Sequence, residues 1–136
     1  MKIMKNLKVR DIMSRGVITV PFDSTLTEVV KTFAEENITG VVVVARDGAV
    51  MGVISEIDIV KVFDRDFDNI TAEYIMSDPV KSISPDDTIQ DAAEIMKNNG
   101  VHRLVIVHKK TRLSIPAMPV GILCASDIVK LIANNA

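Results

Sequence analysis

Residues 12–44 of this chain recur 63 positions later, at 75–107, in chemistry as well as in apolar pattern. Ile12-Met13-Ser14 returns as Ile75-Met76-Ser77, Asp23-Ser24-Thr25 as Asp86-Asp87-Thr88, and Val41-Val42-Val43-Val44 as Leu104-Val105-Ile106-Val107. After a change of length the match resumes at a spacing of 69. There Gly52-Val53-Ile54-Ser55 faces Gly121-Ile122-Leu123-Cys124, and Asp58-Ile59-Val60-Lys61 faces Asp127-Ile128-Val129-Lys130. Eight of the first 33 pairs and five of the 11 pairs from 52–62 are identical, so the chain is an internal duplication. Two units of this size cannot build a solenoid, which needs at least three repeats to bury its faces. A pair is expected to close on itself about a pseudo-twofold axis, with a concave seam.

The totals narrow the function classes. At 136 residues the chain is about one domain long, enough for a core. With 48% hydrophobic and 25% charged residues it reads as compact rather than disordered. A net charge of −2 from 16 basic and 18 acidic residues offers nucleic acid no electrostatic footing. Aromatics at 4%, with no Trp, supply few stacking platforms for bases. The one basic cluster, Lys109, Lys110 and Arg112, lies in a proline-containing insert and reads as a solvated loop. No run of 18 apolar residues is present and residues 1–8 lack the core of a signal peptide, so a cytoplasmic protein away from the membrane is expected. The single Cys124 has no internal disulfide partner, consistent with a reducing compartment.

Each copy reads in the same order. Residues 9–13 form a short helical lead-in, and Ile18-Thr19-Val20 a brief strand ended by Pro21. Thr25 with Glu28 is a capping box ahead of Leu26, Val29, Val30 and Phe33, the spacing of a one-faced helix. The run 41–44 is wholly apolar and β-branched, a strand buried on both faces. Asp47-Gly48 marks a hairpin into a strand over 50–54, and a closing helix is expected over 56–63. In the second copy a strand over 81–83 leads to a helix opened by Thr88 and Asp91, running through Met96 and capped by Gly100. The strand over 104–107 follows, then a 12-residue hairpin loop over 109–120 that Pro116 and Pro119 make irregular. The expected class is α/β (α+β): two pseudo-symmetric β-α-β-β-α repeats, 9–63 and 72–132, packed sheet to sheet and joined by a polar linker over 64–71.

Gly-Val-Ile-Ser-x-x-Asp at 52–58 and Gly-Ile-Leu-Cys-x-Ser-Asp at 121–127 resemble the C-terminal signature of the CBS domain, named after cystathionine β-synthase. Asp-Ile-Met-Ser at 11–14 and Tyr-Ile-Met-Ser at 74–77 look like its lead-in, and Asn37-Ile38-Thr39-Gly40 is similar to its approach to the second strand. The resemblance runs from about residue 9 to residue 132 and implies a tandem pair, or Bateman module. It further implies an adenosyl ligand (AMP, ADP, ATP, S-adenosylmethionine or an NAD-type molecule) in the cleft between copies, a homodimer, and no required cofactor or metal.

An adenosyl ligand needs a slot for the base, a carboxylate for the ribose diol and donors for phosphate. Asp58 and Asp127 are candidates for the diol, since a carboxylate accepting hydroxyls makes charge-assisted bonds of roughly 1.5–3 kcal/mol each. Both fall at a strand-to-helix junction, where free N–H groups also favour phosphate. Ser55-x-x-Asp58 is equally a helix-capping arrangement that needs no ligand. In the family the Asp of one copy works with the base-binding elements of the other. The resemblance therefore implies one site of Asp58 and Ser55 with Ser82, Ile83, Val101, His102 and Arg103. The other joins Asp127 and Ser126 to Thr19, Val20, Ile38, Thr39 and Gly40. His102 and Arg103 resemble the His-Arg pair at this place in the γ subunits of AMP-activated kinase, and Arg103 would offer phosphate a planar fork. The second site has neutral Thr39 and Gly40 there, and Cys124 stands where Ser or Thr is usual, which weakens it for phosphate. Cys124 reads as a small core residue, and the seven methionines mostly as core filler.

Three function classes follow. The leading one is a non-catalytic regulatory sensor acting in trans on an enzyme or transporter. A ligand-free dimerisation or assembly scaffold is the alternative. An enzyme has no support: Gly-x-Ser-x-Gly, His-Glu-x-x-His, a phosphate-binding Gly-rich loop, and a Cys with a nearby base are all missing from the sequence.

Overall fold

The computed structural model describes residues 4, 6–13, 16–77, 80–108 and 118–135. These fall into two compact units, one formed by residues 18–80 and the other by 1–17 together with 81–136.

In the 18–80 unit, β1 (Thr19–Pro21), α2 (Leu26–Glu36), β2 (Gly40–Val44), β3 (Val50–Ser55) and α3 (Glu56–Val60) succeed one another. The sheet order is β1-β2-β3, with β1 parallel and β3 antiparallel to β2. Parallel β1 and β2 need a crossover, and α2 supplies it. The helix starts where Thr25 accepts the Glu28 N–H at 3.2 Å while the Glu28 carboxylate takes the Thr25 N–H. It stops at Asn37, whose left-handed φ of 53° turns the chain back toward the sheet. Val41, Val42 and Val43 are fully buried, as a β-branched run on a central strand requires. The hairpin closes through Gly48 at φ 86°, where an Asp47 side-chain oxygen caps the Ala49 N–H at 3.0 Å.

The other unit repeats this plan with β4 (Ser82–Ile83), α5 (Ile89–Asn99), β5 (Arg103–Val107), β6 (Pro119–Cys124) and α6 (Ala125–Asn135). Its sheet order is β4-β5-β6, again parallel then antiparallel. Thr88 and Asp91 form the capping box, and Gly100 (φ 61°) is the C-cap. Leu104, Val105, Ile106 and Leu123 carry its core.

The compact units and the sequence repeats are not the same pieces of chain. The lead-in of the first copy, α1 (Val9–Ile12), packs with the second copy's sheet, and α4 (Ala72–Ile75), the lead-in of the second, packs with the first copy's. The swap is reciprocal to the single hydrogen bond. Val9 N–H donates to Asp87 O (2.8 Å) and Arg10 N–H to Pro85 O (3.0 Å). Sixty-three residues on, Ala72 N–H donates to Ser24 O (2.9 Å) and Glu73 N–H to Phe22 O (2.9 Å). Arg10 also makes an ion pair with Asp86.

Three expectations change. The segment 64–71 is no loose linker. Phe67 and Ile70 pack on the first copy's core, Ile70 O accepts the Leu26 N–H at 2.7 Å, and Thr27 donates its hydroxyl to Asp68 at 2.5 Å. Two apolar side chains three positions apart hold it down although its composition is polar. The first closing helix ends at Val60 instead of reaching Phe63, and tighter turns carry the chain on, with Phe63 N–H bonded to Val60 O at 3.1 Å. Phe63, 83% exposed, has no core to prolong the helix against. Pro119, read as loop, instead opens β6 at a register shift opposite Val107, the strand position where a missing N–H costs least. The remainder of that loop, 109–117 with Pro116 and the basic cluster, lies outside the described residues. Among the described residues no helix is long and apolar enough to cross a membrane.

Candidate functional site

Both sheets gather the chemically interesting residues at one end, because β1 and β2 begin where β3 finishes, and β4 and β5 begin where β6 finishes. In the 18–80 unit Gly40 lies opposite Ser55, and Thr19 stands one strand over. Thr39 and Thr19 are exposed, Ile38 is half-buried against the core, and Val20 is buried beneath them. Asp58 occupies the first turn of α3. Its Oδ2 accepts the Ser55 N–H at 2.8 Å and the Ser55 hydroxyl at 3.0 Å. The Ser-x-x-Asp spacing thus forms the helix cap that the sequence allowed, with the carboxylate rather than the hydroxyl doing the accepting.

The equivalent end of the other unit is built alike from different side chains. Arg103 lies opposite Cys124, and Ser82 and Ile83 pair with Val105 and Ile106. Val101 is half-buried against the core, His102 is exposed, and the His102 carbonyl accepts the Ala125 N–H at 2.8 Å to start α6. Asp127 Oδ2 accepts the Cys124 N–H at 2.8 Å, with Ser126 exposed beside it. Burial pushes the Cys124 thiol above its ordinary value. The Arg103 guanidinium, close by and hydrogen-bonded to it, pulls the other way, and the Asp127 charge adds to the rise. Cys124 is therefore a neutral, half-buried thiol at neutral pH, in keeping with a packing role.

All fourteen candidate residues therefore sit at these two sheet ends, seven in each unit. Each Asp is brought together with the strand entrances of its own unit: Asp58 with Thr19, Ile38, Thr39 and Gly40, and Asp127 with Ser82, Val101, His102 and Arg103.

Sequence reasoning passed over what borders the first of these ends. Ser77, closing the second copy's lead-in, exchanges hydrogen bonds with Val53 (2.9 and 3.2 Å), two residues before Ser55, and so covers the outer edge of β3. Gly52 makes room for it. A Cβ there would lie 2.7 Å from the Met76 sulfur and 2.9 Å from the Ser77 carbonyl oxygen. The signal was present in the repeated Ile-Met-Ser and the glycine shared by 52 and 121, but a repeat does not say which copy its lead-in will serve.

A carboxylate has about four acceptor positions, so one engaged through a single oxygen in a cap retains capacity for hydroxyl donors. Each end also exposes a strand-entrance hydroxyl, Thr19 or Ser82. Only the second adds cationic and imidazole donors. Such an arrangement can bind a polyol and, at the second end, an anion. Its one thiol is kept neutral by burial, which makes it a poor nucleophile.

Comparison with known proteins agrees with the repeat. The sequence profile of the CBS domain matches twice, at residues 9–65 and 72–134. Protein MJ1232 of Methanocaldococcus jannaschii is 39% identical over 132 residues, which is 96% of this chain but 41% of that protein, so the chain spans well under half the length of this relative. Among solved structures, the CBS domain of a CBS domain containing membrane protein from Sphaerobacter thermophilus is similar, with a TM-score of 0.82 and 27% identity over 96% of this chain and 90% of that one. The CBS domain pair of protein MJ0100, solved in complex with 5′-methylthioadenosine and S-adenosyl-L-methionine, has a TM-score of 0.81 and 25% identity, covering 95% of this chain and 98% of that one.

Proposed function

The chain belongs to the CBS-domain family, carried as a tandem pair, and on that premise we propose that it is a non-catalytic sensor module for an adenosyl ligand. The ligand sits between the two copies and its occupancy is passed to a regulated partner. The observation that carries this reading is the recurrence of one capped carboxylate, Asp58 and Asp127, beside open strand entrances in both copies. The adenosyl ligands of the MJ0100 pair, which this chain resembles over nearly its whole length, support the same ligand class.

In this proposal the Asp of each copy takes the ribose hydroxyls while the opposite copy supplies the base slot. Asp58 and Ser55 act with Ser82, Ile83, Val101, His102 and Arg103; Asp127 and Ser126 act with Thr19, Val20, Ile38, Thr39 and Gly40. The first site takes a phosphate-bearing nucleotide because Arg103 and His102 supply donors to it. The second, with Thr39 and Gly40, favours a ligand without phosphate at that place. Regulation requires that the ligand bind one arrangement of the protein more tightly than another, since equal affinities shift nothing.

Mass spectrometry of molecules carried through native purification, followed by calorimetric titration with AMP, ADP, ATP, S-adenosylmethionine, 5′-methylthioadenosine and adenosine, tests the reading. Binding of at least one is expected. Arg103→Ala is expected to weaken nucleotides more than adenosine; equal losses would defeat the phosphate assignment. The alternative is a ligand-free assembly scaffold, in which both carboxylates serve only to close helix ends. It predicts no thermal shift with any of these compounds.

A further inference from the structure

Two residues that the proposed reading assigns to different ligand sites meet at the second copy's sheet end. Arg103 opens β5 directly opposite Cys124, the last residue of β6. The Arg103 guanidinium is hydrogen-bonded to the Cys124 sulfur. Asp127, three residues past Cys124, accepts the Cys124 N–H through Oδ2 at 2.8 Å. Cys124 is thus bonded through its side chain to the cation of the first site and through its backbone to the carboxylate of the second. The charges of Arg103 and Asp127 both reach the sulfur, in opposite senses, so this end holds a cation and an anion within electrostatic range of one thiol. The matching pair in the first copy cannot do this. Gly40 faces Ser55 there and has no side chain, and the Ser55 hydroxyl donates to its own Asp58 at 3.0 Å.

We propose that Cys124 is a positioning residue that couples the two ligand sites, holding the Arg103 guanidinium at this sheet end until a nucleotide phosphate in the first site draws it away. The inference rests on the adenosyl reading above and adds to it a link between the sites, with a sign. A thiol is a weak acceptor, so a phosphate displaces it readily from the guanidinium. The phosphate also brings negative charge, and Asp127 loses part of the positive field that had compensated its own. A carboxylate less compensated in this way accepts hydroxyl hydrogens more strongly. A neutral ribosyl ligand at the second site therefore binds more tightly once the first is filled. By linkage the second ligand tightens the first by the same factor.

The test is calorimetric titration of the full chain with 5′-methylthioadenosine, which carries no phosphate, in the absence and presence of saturating AMP. AMP is expected to raise the affinity for 5′-methylthioadenosine at least about fivefold, and the reverse titration to give the same factor. Cys124→Ala, checked for folding by circular dichroism, is expected to bind each ligand alone but to lose most of that factor. Cys124→Ser is expected to keep the coupling, because a hydroxyl also accepts from the guanidinium. Two ligands that bind wild type independently overturn the coupling and leave the adenosyl reading standing, as do two that exclude each other. A factor unchanged in Cys124→Ala, or lost in Cys124→Ser, also overturns it, since the link would then run through other residues. If neither ligand binds wild type, the coupling and the reading beneath it fall together; if only one binds, the coupling alone falls.

Discussion

The two sheet ends differ far more than the backbones that present them. Both have a strand entrance opposite a strand exit, and both have an Asp three residues into the turn that accepts the N–H of that exit. At the first, Gly40 faces Ser55, and the Asp58 carboxylate takes both the N–H and the hydroxyl of the serine. At the second, Arg103 faces Cys124, the hydroxyl is replaced by a thiol, and Asp127 keeps only the N–H. The closing helix is five residues in one copy and eleven in the other. Duplication has kept the cap, which fixes where each carboxylate points, and has let the neighbouring charge diverge. Under the proposed ligand reading, such a frame carries two specificities, one neutral and one cationic.

The largest effect expected is on ligand affinity. Asp58→Ala and Asp127→Ala each remove up to two charge-assisted bonds of roughly 1.5–3 kcal/mol, so calorimetry should show losses of at least a hundredfold at the site concerned. Little loss in either would mean that the two carboxylates share only a capping role. Next comes the close approach of the lead-in to β3. Gly52→Ala should lower the unfolding free energy in urea by about 1–3 kcal/mol, because Met76 can swing aside but the Ser77 carbonyl cannot. Met76→Ala in the same background should recover only part of that loss. Thr25→Ala and Thr88→Ala should each cost about 1 kcal/mol in thermal unfolding, and nearly equally, since both hydroxyls accept the N–H three residues on. A large inequality would show that the copies are not equivalent even in their scaffolds.

The smallest effect sharpens the contrast at Cys124. Burial raises the pKa of its thiol, so alkylation by iodoacetamide between pH 7 and 9 should lag behind a free-cysteine peptide, with the rate still climbing at pH values where the peptide's has begun to level off. Arg103 is the chief influence lowering that value, so Arg103→Ala should slow alkylation further at a given pH, provided the thiol stays as buried. A faster reaction would mean that Arg103 shields the thiol sterically instead.

Much of this protein was legible along the chain because the signals are local. Thr25 and Glu28, Thr88 and Asp91, and Gly100 announced helix ends that hydrogen bonds within three or four residues enforce, and the β-branched run 41–43 announced a strand buried on both faces. The place of the candidate residues at strand ends was legible too, since repeat and signature fall there by counting. Composition misled over 64–71, where charge outnumbers apolar side chains yet Phe67 and Ile70 decide the packing. Which copy each lead-in serves, why position 52 must be glycine, and that Phe63 lies uncovered while Phe67 is packed away are long-range facts. A repeat specifies complementary surfaces twice over and is indifferent to whether they meet within a copy or across copies. Only the closed tertiary structure, where one exchange of backbone bonds satisfies both halves at once, settles that choice.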